Sequence, residues 1–190
     1  MKILLLCGSV AKRSHTHALL RFIEELLKKQ KVETVFWDLH EKPLIIAIPE
    51  YHHDPSETPN EIVRQFVSVV DSADGIILGS PLYHGSYSGV LKNALDCLSL
   101  DGFRNKVVGL VSNGSGPRSS YGAVEHLRLV VRALRGYATQ IHIHTNNSDY
   151  DESEKEFVLQ SGDIQKRCED LVHELLLLVA ALKGKKTIQG

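Results

Sequence analysis

Cysteine is scarce in this chain of 190 residues: Cys7, Cys97 and Cys168 are odd in number, widely spread and form no CxxC pair. That pattern argues against a disulfide framework and fits reduced thiols in a cytosol. Net charge is scarce too, at −1 with the histidines neutral, so no broad field draws the chain to nucleic acid or to an acidic membrane. Long apolar runs are missing. The N-terminal run is short and has only Lys2 before it, unlike a secretory signal, and the leucine-rich stretch 171–182 is interrupted by Glu174 and too short to span a bilayer. Three signatures are absent as well. There is no GxxxxGK[ST], no GxGxxG, and no Gly-x-Ser-x-Gly elbow, since Gly114-Ser115-Gly116 has the wrong spacing. The expectation is a soluble, cytoplasmic protein that is neither a P-loop NTPase nor a serine hydrolase.

The chain does have enough apolar residues, 43% of the total against 24% charged, to build one domain with a buried core. We expect that domain over residues 1–183, with 184–190 as a flexible tail. Five apolar runs, at residues 1–7, 32–37, 75–79, 106–112 and 137–144, read as strands alternating with helices. Leu19, Leu20, Phe22, Ile23, Leu26 and Leu27 share one face of a helix over 14–30. Pro43, Pro49 and Pro55 exclude a regular helix from the connection 38–58. Thr58 and Asn60, around Pro59, start a second helix that reaches residue 73. Further helices are expected over 88–98 and 119–135, and a long one closes by residue 182 after a polar turn at 146–152. The runs VVGLV, GIILG and KILLL are too continuously apolar for a half-exposed sheet and fit a parallel one covered on both faces. Right-handed crossovers then give a doubly wound α/β sheet of order 2-1-3-4-5, whose switch point lies between the first and third strands.

The loops leaving those two strands carry the most information. One is Cys7-Gly8-Ser9-Val10-Ala11-Lys12-Arg13-Ser14-His15-Thr16; the other is Ser80-Pro81-Leu82-Tyr83-His84-Gly85-Ser86-Tyr87-Ser88-Gly89. A helix N-terminus attracts phosphate through free N–H groups and a partial positive charge. Gly8 permits a sharp exit from the strand, Ser9, Ser14 and Thr16 add hydroxyl donors, and Lys12 and Arg13 can offset charge. An ordinary turn capped by Ser14 would use the same residues. In the second loop Pro81 stiffens the turn, Leu82 and Tyr83 can lie along a planar ligand, and Gly85, Ser86 and Gly89 let backbone N–H groups approach its polar edge. The plainer alternative is a pair of loop aromatics with Gly89 as a packing glycine. A phosphate cradle and a ring platform at one switch point suggest a flavin nucleotide.

The same two stretches, the second continuing as Val90-Leu91-Lys92-Asn93-Ala94-Leu95-Asp96, are joined by Ser112-Asn113-Gly114-Ser115-Gly116 leading to Glu125-His126-Leu127-Arg128. Together they resemble the flavodoxin-like NAD(P)H-dependent FMN reductases, a family that includes azobenzene, quinone and chromate reductases. The likeness runs over almost the whole chain in element order. It implies that Ser9, Ser14 and Thr16 bind the FMN phosphate. Many relatives read GSxRxxSxN where this chain has Ala11 and Thr16, so a neighbouring base, Lys12 or Arg13, would substitute. The resemblance further implies that Pro81, Leu82, Tyr83 and His84 line the ring, with Gly85 and Ser86 nearby, and that Ser112 and Gly114 meet its pyrimidine edge. It implies NADPH or NADH as cosubstrate, a small-molecule electron acceptor, ping-pong transfer through FMN with no catalytic side chain, and a homodimer or homotetramer. Backbone N–H groups around Gly114 would stabilise negative charge on the reduced ring. Arg118 would hold a nucleotide or lie solvated. A flavodoxin-type electron carrier and an FMN-binding module without turnover are the alternatives; such carriers are generally strongly acidic, and this chain is not.

Other clusters read as structural. His142 and His144 share one strand face, but no third ligand follows at useful spacing, so no metal site is expected. His52-His53, with Glu50 and Asp54, reads as a solvated loop that could line a substrate pocket. Cys7 reads as a small buried apolar residue, not a nucleophile. Glu24-Glu25 and Lys28-Lys29 are expected as i, i+4 pairs on the solvent face of the first helix. The leucines of 171–182 spread wider than one core stripe, so part of them is expected to pack on another subunit.

Overall fold

Strand runs with no polar face need cover on both sides, and they find it in a five-stranded parallel sheet of order β2-β1-β3-β4-β5. A computed structural model describes residues 1–116, 121–153 and 155–185. The strands are β1 Lys2–Cys7, β2 Glu33–Asp38, β3 Gly75–Pro81, β4 Val107–Gly114 and β5 Tyr137–Asn146. The helices are α1 His15–Lys29, α2 Glu61–Ser72, α3 Gly89–Asp96, α4 Tyr121–Ala133 and α5 Gly162–Lys185. Side chains alternate across each strand. Ile3, Leu5, Cys7 and Ile77 therefore pack with α1 and α5, while Leu4, Leu6, Ile76 and Leu78 pack with α2, α3 and α4. The doubly wound order expected from the apolar runs is the one observed.

Three strands run two residues further than their apolar signal. β3, β4 and β5 continue to Pro81, Gly114 and Asn146, pairing Ser80 with Ser112, Pro81 with Asn113, and Gly114 with Asn146. Small polar residues thus carry the ladder to the C-terminal edge of the sheet, where ligand crevices form. The connection 38–58 holds only two short 3₁₀ turns, Pro49–Tyr51 and Pro55–Glu57. The Asn93 amide pins it to α3, donating to the Ile45 carbonyl and accepting from Ala47 N–H, both at 2.9 Å.

The edge strand β5 has an irregular register opposite Val108 and Leu110, and side chains cover it. Glu174 accepts from Gln140 and Ile141 N–H at 2.8 Å each, and Arg128 donates to the Thr139 and Gln140 carbonyls at 2.8 and 3.0 Å. These bonds satisfy an edge that would otherwise be open to further pairing, and they anchor α4.

Four readings change in detail. The polar turn after β5 leads into a short antiparallel ladder, β6 Tyr150–Asp151 with β7 Val158–Leu159. α5 continues to Lys185, past residue 182 and into the stretch read as tail, while 186–190 lie outside the described residues. Glu24 is buried, not solvent-facing. Arg21 and Thr34 hold its carboxylate at 2.8 and 3.2 Å, so it joins α1 to β2; Lys28 pairs with Glu24 at 3.4 Å and with Glu25 at 3.0 Å. In the leucine-rich part of α5, Leu171 and Leu175 are buried against the sheet and Leu177 stands out at 61% exposed. Among the described residues no helix is long and apolar enough to cross a membrane.

Candidate functional site

β1 delivers the first loop directly onto β3. Gly8 N–H donates to the Gly79 carbonyl at 2.7 Å. A Cβ on Gly8 would stand 2.8 Å from Leu91 Cβ and 2.9 Å from that carbonyl oxygen. Close approach of three elements, more than a sharp turn, therefore demands the glycine. The Ser9 hydroxyl accepts from Ala11 N–H at 3.3 Å. Ser14 is the N-cap of α1, its hydroxyl accepting from His17 N–H at 3.2 Å. The His15 and Thr16 N–H groups, in the first turn, have no intrahelical acceptor. Hydroxyls and amides thus gather at a positive helix end.

The second loop is locked to the first. Ser88 caps α3 by accepting from Leu91 N–H, and its own proton goes to the Gly8 carbonyl at 2.6 Å. Ser88 N–H donates to the Ser80 hydroxyl at 2.9 Å, and Leu82 N–H to the Asn113 carbonyl at 2.8 Å. Beyond Leu82, Tyr83 and Ser86 exchange two backbone bonds at 2.8 and 3.0 Å around a two-residue turn. His84 and Gly85 both have positive φ, 49° and 81°, as such a hairpin turn requires. The turn rests on α4: the Ser86 hydroxyl lies 2.9 Å from His126 Nδ1, and Gly122 passes under the Gly85 carbonyl.

Between these walls lies a cleft of about 300 Å³. Of the expected residues, it brings together Ser9, Arg13, Ser14, Thr16, Pro81, Leu82, Tyr83 and Gly114. His84, Gly85 and Ser86 lie outside its lining, in the turn beyond Tyr83. Ser112 is fully buried within β4 and also outside the lining. The cleft adds Ala11, His15, Asn113, Ser115 and Asn147. Asn113 sat between two expected positions, and both faces of a strand end can open into one crevice. Asn147 lies in a polar turn and gives no sequence signal. The role considered for Arg118, and the expected helix start at 119, fall on residues 117–120, outside the described residues.

The hairpin β6–β7 flanks the first loop. Arg13 Nη2 donates to the Glu152 carbonyl at 2.6 Å, and His15 Nε2 lies 3.1 Å from Glu152 Oε1. Arg13 is the one permanently charged side chain among the described residues lining the cleft. Cys7 lies at the end of β1, fully buried, and burial, reinforced by the Asp38 charge, pushes its thiol up to about 12. It stays a thiol.

Away from the cleft, burial holds both His142 and His144 below the ordinary histidine value. Arg128 adds to the effect on His142, and His142 and Arg167 add to it on His144. An arginine can only donate, so the 2.9 Å contact from Arg128 Nη2 makes His142 Nδ1 an acceptor on a neutral ring. Among the described residues no three His, Cys, Asp or Glu side chains gather to hold a metal.

The cleft therefore has a donor-rich, cationic end and a flatter end built from Pro81, Leu82 and Tyr83. That donor set fits a phosphorylated planar molecule. The family of NADPH-dependent FMN reductases matches residues 1–145. The FMN-dependent NADPH-azoreductase of Staphylococcus aureus strain USA300 is 38% identical over 180 residues, spanning 94% of this chain and 95% of that protein. Two solved structures share the fold. An oxidoreductase from Corynebacterium diphtheriae matches with a TM-score of 0.76 at 16% identity, over 95% of this chain and 97% of the other. An NADH:FMN oxidoreductase in its apo form matches with a TM-score of 0.72 at 21% identity, over 93% and 88%. The five-stranded order and these neighbours make the fold flavodoxin-like.

Proposed function

Because the chain belongs to the NADPH-dependent FMN reductase family, we propose that it oxidises NADPH or NADH and passes the electrons by way of FMN to a small acceptor. That acceptor is a flavin, quinone, azo compound or chromate. The observation that carries this reading is the single cleft at the β1/β3 switch point, with the capped N-terminus of α1 at one end and Pro81, Leu82 and Tyr83 at the other. Ser9, Ser14, the first amides of α1 and Arg13 would hold the phosphate. Leu82 and Tyr83 would lie along the ring, and Gly114 and Ser115 would meet its polar edge. Bound there, FMN would supply the hydride relay between reduced nicotinamide and the acceptor, which would then bind in alternation, a ping-pong order.

The chain's own part is positioning. Fixed backbone N–H groups around Gly114 stabilise negative charge without reorganising. Tyr83, 47% exposed, leaves one side of the ring platform open to a second planar molecule, which supports a broad choice of acceptor. Among the described residues, the ionisable ones lining the cleft are Arg13, His15 and Tyr83. The first two are engaged by the hairpin, so no side chain is assigned acid or base work. We also place the enzyme in the cytoplasm as a homodimer or homotetramer. Three free, buried cysteines support a reducing compartment. Leu100 and Leu129, each 67% exposed beside α3 and α4, support a subunit contact there.

The test is an anaerobic visible spectrum of protein loaded with FMN, washed free of excess, then mixed with NADPH. Retained flavin that bleaches, and recolours on adding an azo dye or quinone, is the expected result. Retained flavin that stays yellow overturns the turnover. Failure both to retain FMN and to turn over with excess FMN overturns the cofactor assignment.

A further inference from the structure

We infer that Phe157 and Glu152, on the β6–β7 hairpin, are positioning residues that aim Arg13 at the phosphate end of the cleft and thereby set a preference for phosphorylated over unphosphorylated flavin. The inference rests on reading the cleft as a flavin site. It starts from charge: a phosphate brings negative charge, and Arg13 is the one permanent cation among the described lining residues. A long side chain on a loop loses rotamer freedom when a ligand fixes it, so an arginine fixed beforehand binds more tightly.

The hairpin supplies that fixing. The Arg13 guanidinium carbon lies 4.0 Å from the Phe157 ring centroid, and the His15 ring is stacked on the same ring at 3.6 Å with 8° between planes. Two groups so near one centroid occupy opposite faces. One phenylalanine is therefore clasped by the two residues that flank the N-cap Ser14. Glu152 adds a second grip, its carbonyl accepting from Arg13 Nη2 at 2.6 Å and its carboxylate lying 3.1 Å from His15 Nε2. A guanidinium carries five N–H donors, so being held by the hairpin is compatible with donating to phosphate as well.

The hairpin is itself anchored in the fold. Tyr150 and Leu159, paired across the ladder, are both buried. The Tyr150 hydroxyl lies 2.9 Å from Thr145 Oγ1, which donates to Asn113 Oδ1 at 2.9 Å on the other side of the cleft. Arg13 is thus held through a hairpin anchored at the sheet's far edge.

The experiment is a double-mutant cycle read in two ligands. FMN and riboflavin are titrated by flavin fluorescence quenching into the wild-type protein, Phe157→Leu, Arg13→Gln and the double variant. We expect each single change to weaken FMN binding about tenfold and riboflavin binding less than about twofold. The double variant should be no weaker toward FMN than Arg13→Gln alone, because Phe157 acts through Arg13. Phe157→Tyr should retain FMN binding, and Phe157→Met takes the place of Phe157→Leu if thermal melting shows that variant unfolded. Equal losses for both flavins, additive losses in the double variant, or no loss in Phe157→Leu would each overturn the inference. Wild-type protein that binds neither flavin would overturn the cleft assignment itself, and the inference with it.

Discussion

Replacing Gly122 with alanine puts a methyl group 2.3 Å from the Gly85 carbonyl oxygen. An unstrained carbon–oxygen contact is about 3.3 Å, so something must move by about 1 Å. The obstacle is backbone, and no rotamer change relieves it. α4 is poorly placed to give way, since Ala123, Val124 and Leu127 are fully buried and Arg128 is bonded to two β5 carbonyls. The His84–Gly85 turn is exposed, and space around Gly85 is open. It yields, stretching the 2.9 Å Ser86–His126 contact and shifting Tyr83 behind it. Overpacking costs about 1–3 kcal/mol, and the helix gain from glycine to alanine offsets up to about 1 kcal/mol of that. Net stability therefore falls by no more than about 3 kcal/mol. A 1 Å error in a ring platform is costlier to chemistry, about 100-fold in turnover. Gly89→Ala is the control: nothing lies within 4 Å of its added methyl, so turnover should hold and stability should rise by about 0.5 kcal/mol. Urea melts and anaerobic NADPH oxidation measure the two effects separately. If Gly122→Ala retains FMN and turns over like Gly89→Ala, the turn is not seated on α4 as argued. If it unfolds the protein as a core truncation does, then α4 yields instead.

Ser88→Ala removes a buried cap and the donor to the Gly8 carbonyl, so urea melts should show a loss of about 2–3 kcal/mol together with weaker FMN retention. The three thiols are pushed up to about 12, 11 and 12 by burial. Native protein at pH 8 should therefore resist a thiol-specific disulfide reagent, with a thiolate fraction of about 10⁻³ or less, and release all three equivalents in denaturant; a fast native equivalent would refute this. His142 and His144 have folded values below the ordinary 6.5, so just below that pH the unfolded chain binds more protons. Stability should accordingly fall as pH drops below about 6.5 toward the lower folded values, and the urea midpoint of His142→Gln should fall less steeply; parallel pH profiles would refute the assignment.

The sheet was legible because its strands are apolar on both faces, which leaves few alternatives to helices above and below. The strand ends were not, because Ser80, Pro81 and Asn113 look like loop residues until a neighbouring strand pairs with them. The start of α1 was readable from local chemistry: Ser14 caps the helix as its place before it requires. The hairpin was not readable at all. A two-residue strand pair has no periodicity to detect, and Phe157 makes sense only beside Arg13 and His15, more than 140 positions earlier. Glu24 misled for a related reason. The i, i+4 pattern places it opposite Lys28, but the rotation of α1 against β2 is fixed by Leu20, Ile23 and Leu27, and that rotation carries Glu24 inward to Thr34.

The two walls of the cleft are held by each other more than by their own loops. Gly8 N–H on Gly79, Ser88 on Gly8, and Leu82 N–H on Asn113 all join segments far apart in sequence. The two backbone bonds extend the register that already pairs Cys7 with Gly79 and Pro81 with Asn113. A loop fixed only by its own turns could shift while its neighbour stayed in place; these cannot, because moving one breaks a buried bond of the other. Buried bonds left half-made are costly, so the α1 end of the cleft and its end at Pro81, Leu82 and Tyr83 keep a constant spacing. Binding then loses little entropy to loop ordering. The freedom that remains lies where the structure is open, at Tyr83 and the turn beyond it, which is where the second planar substrate of the proposed cycle would enter.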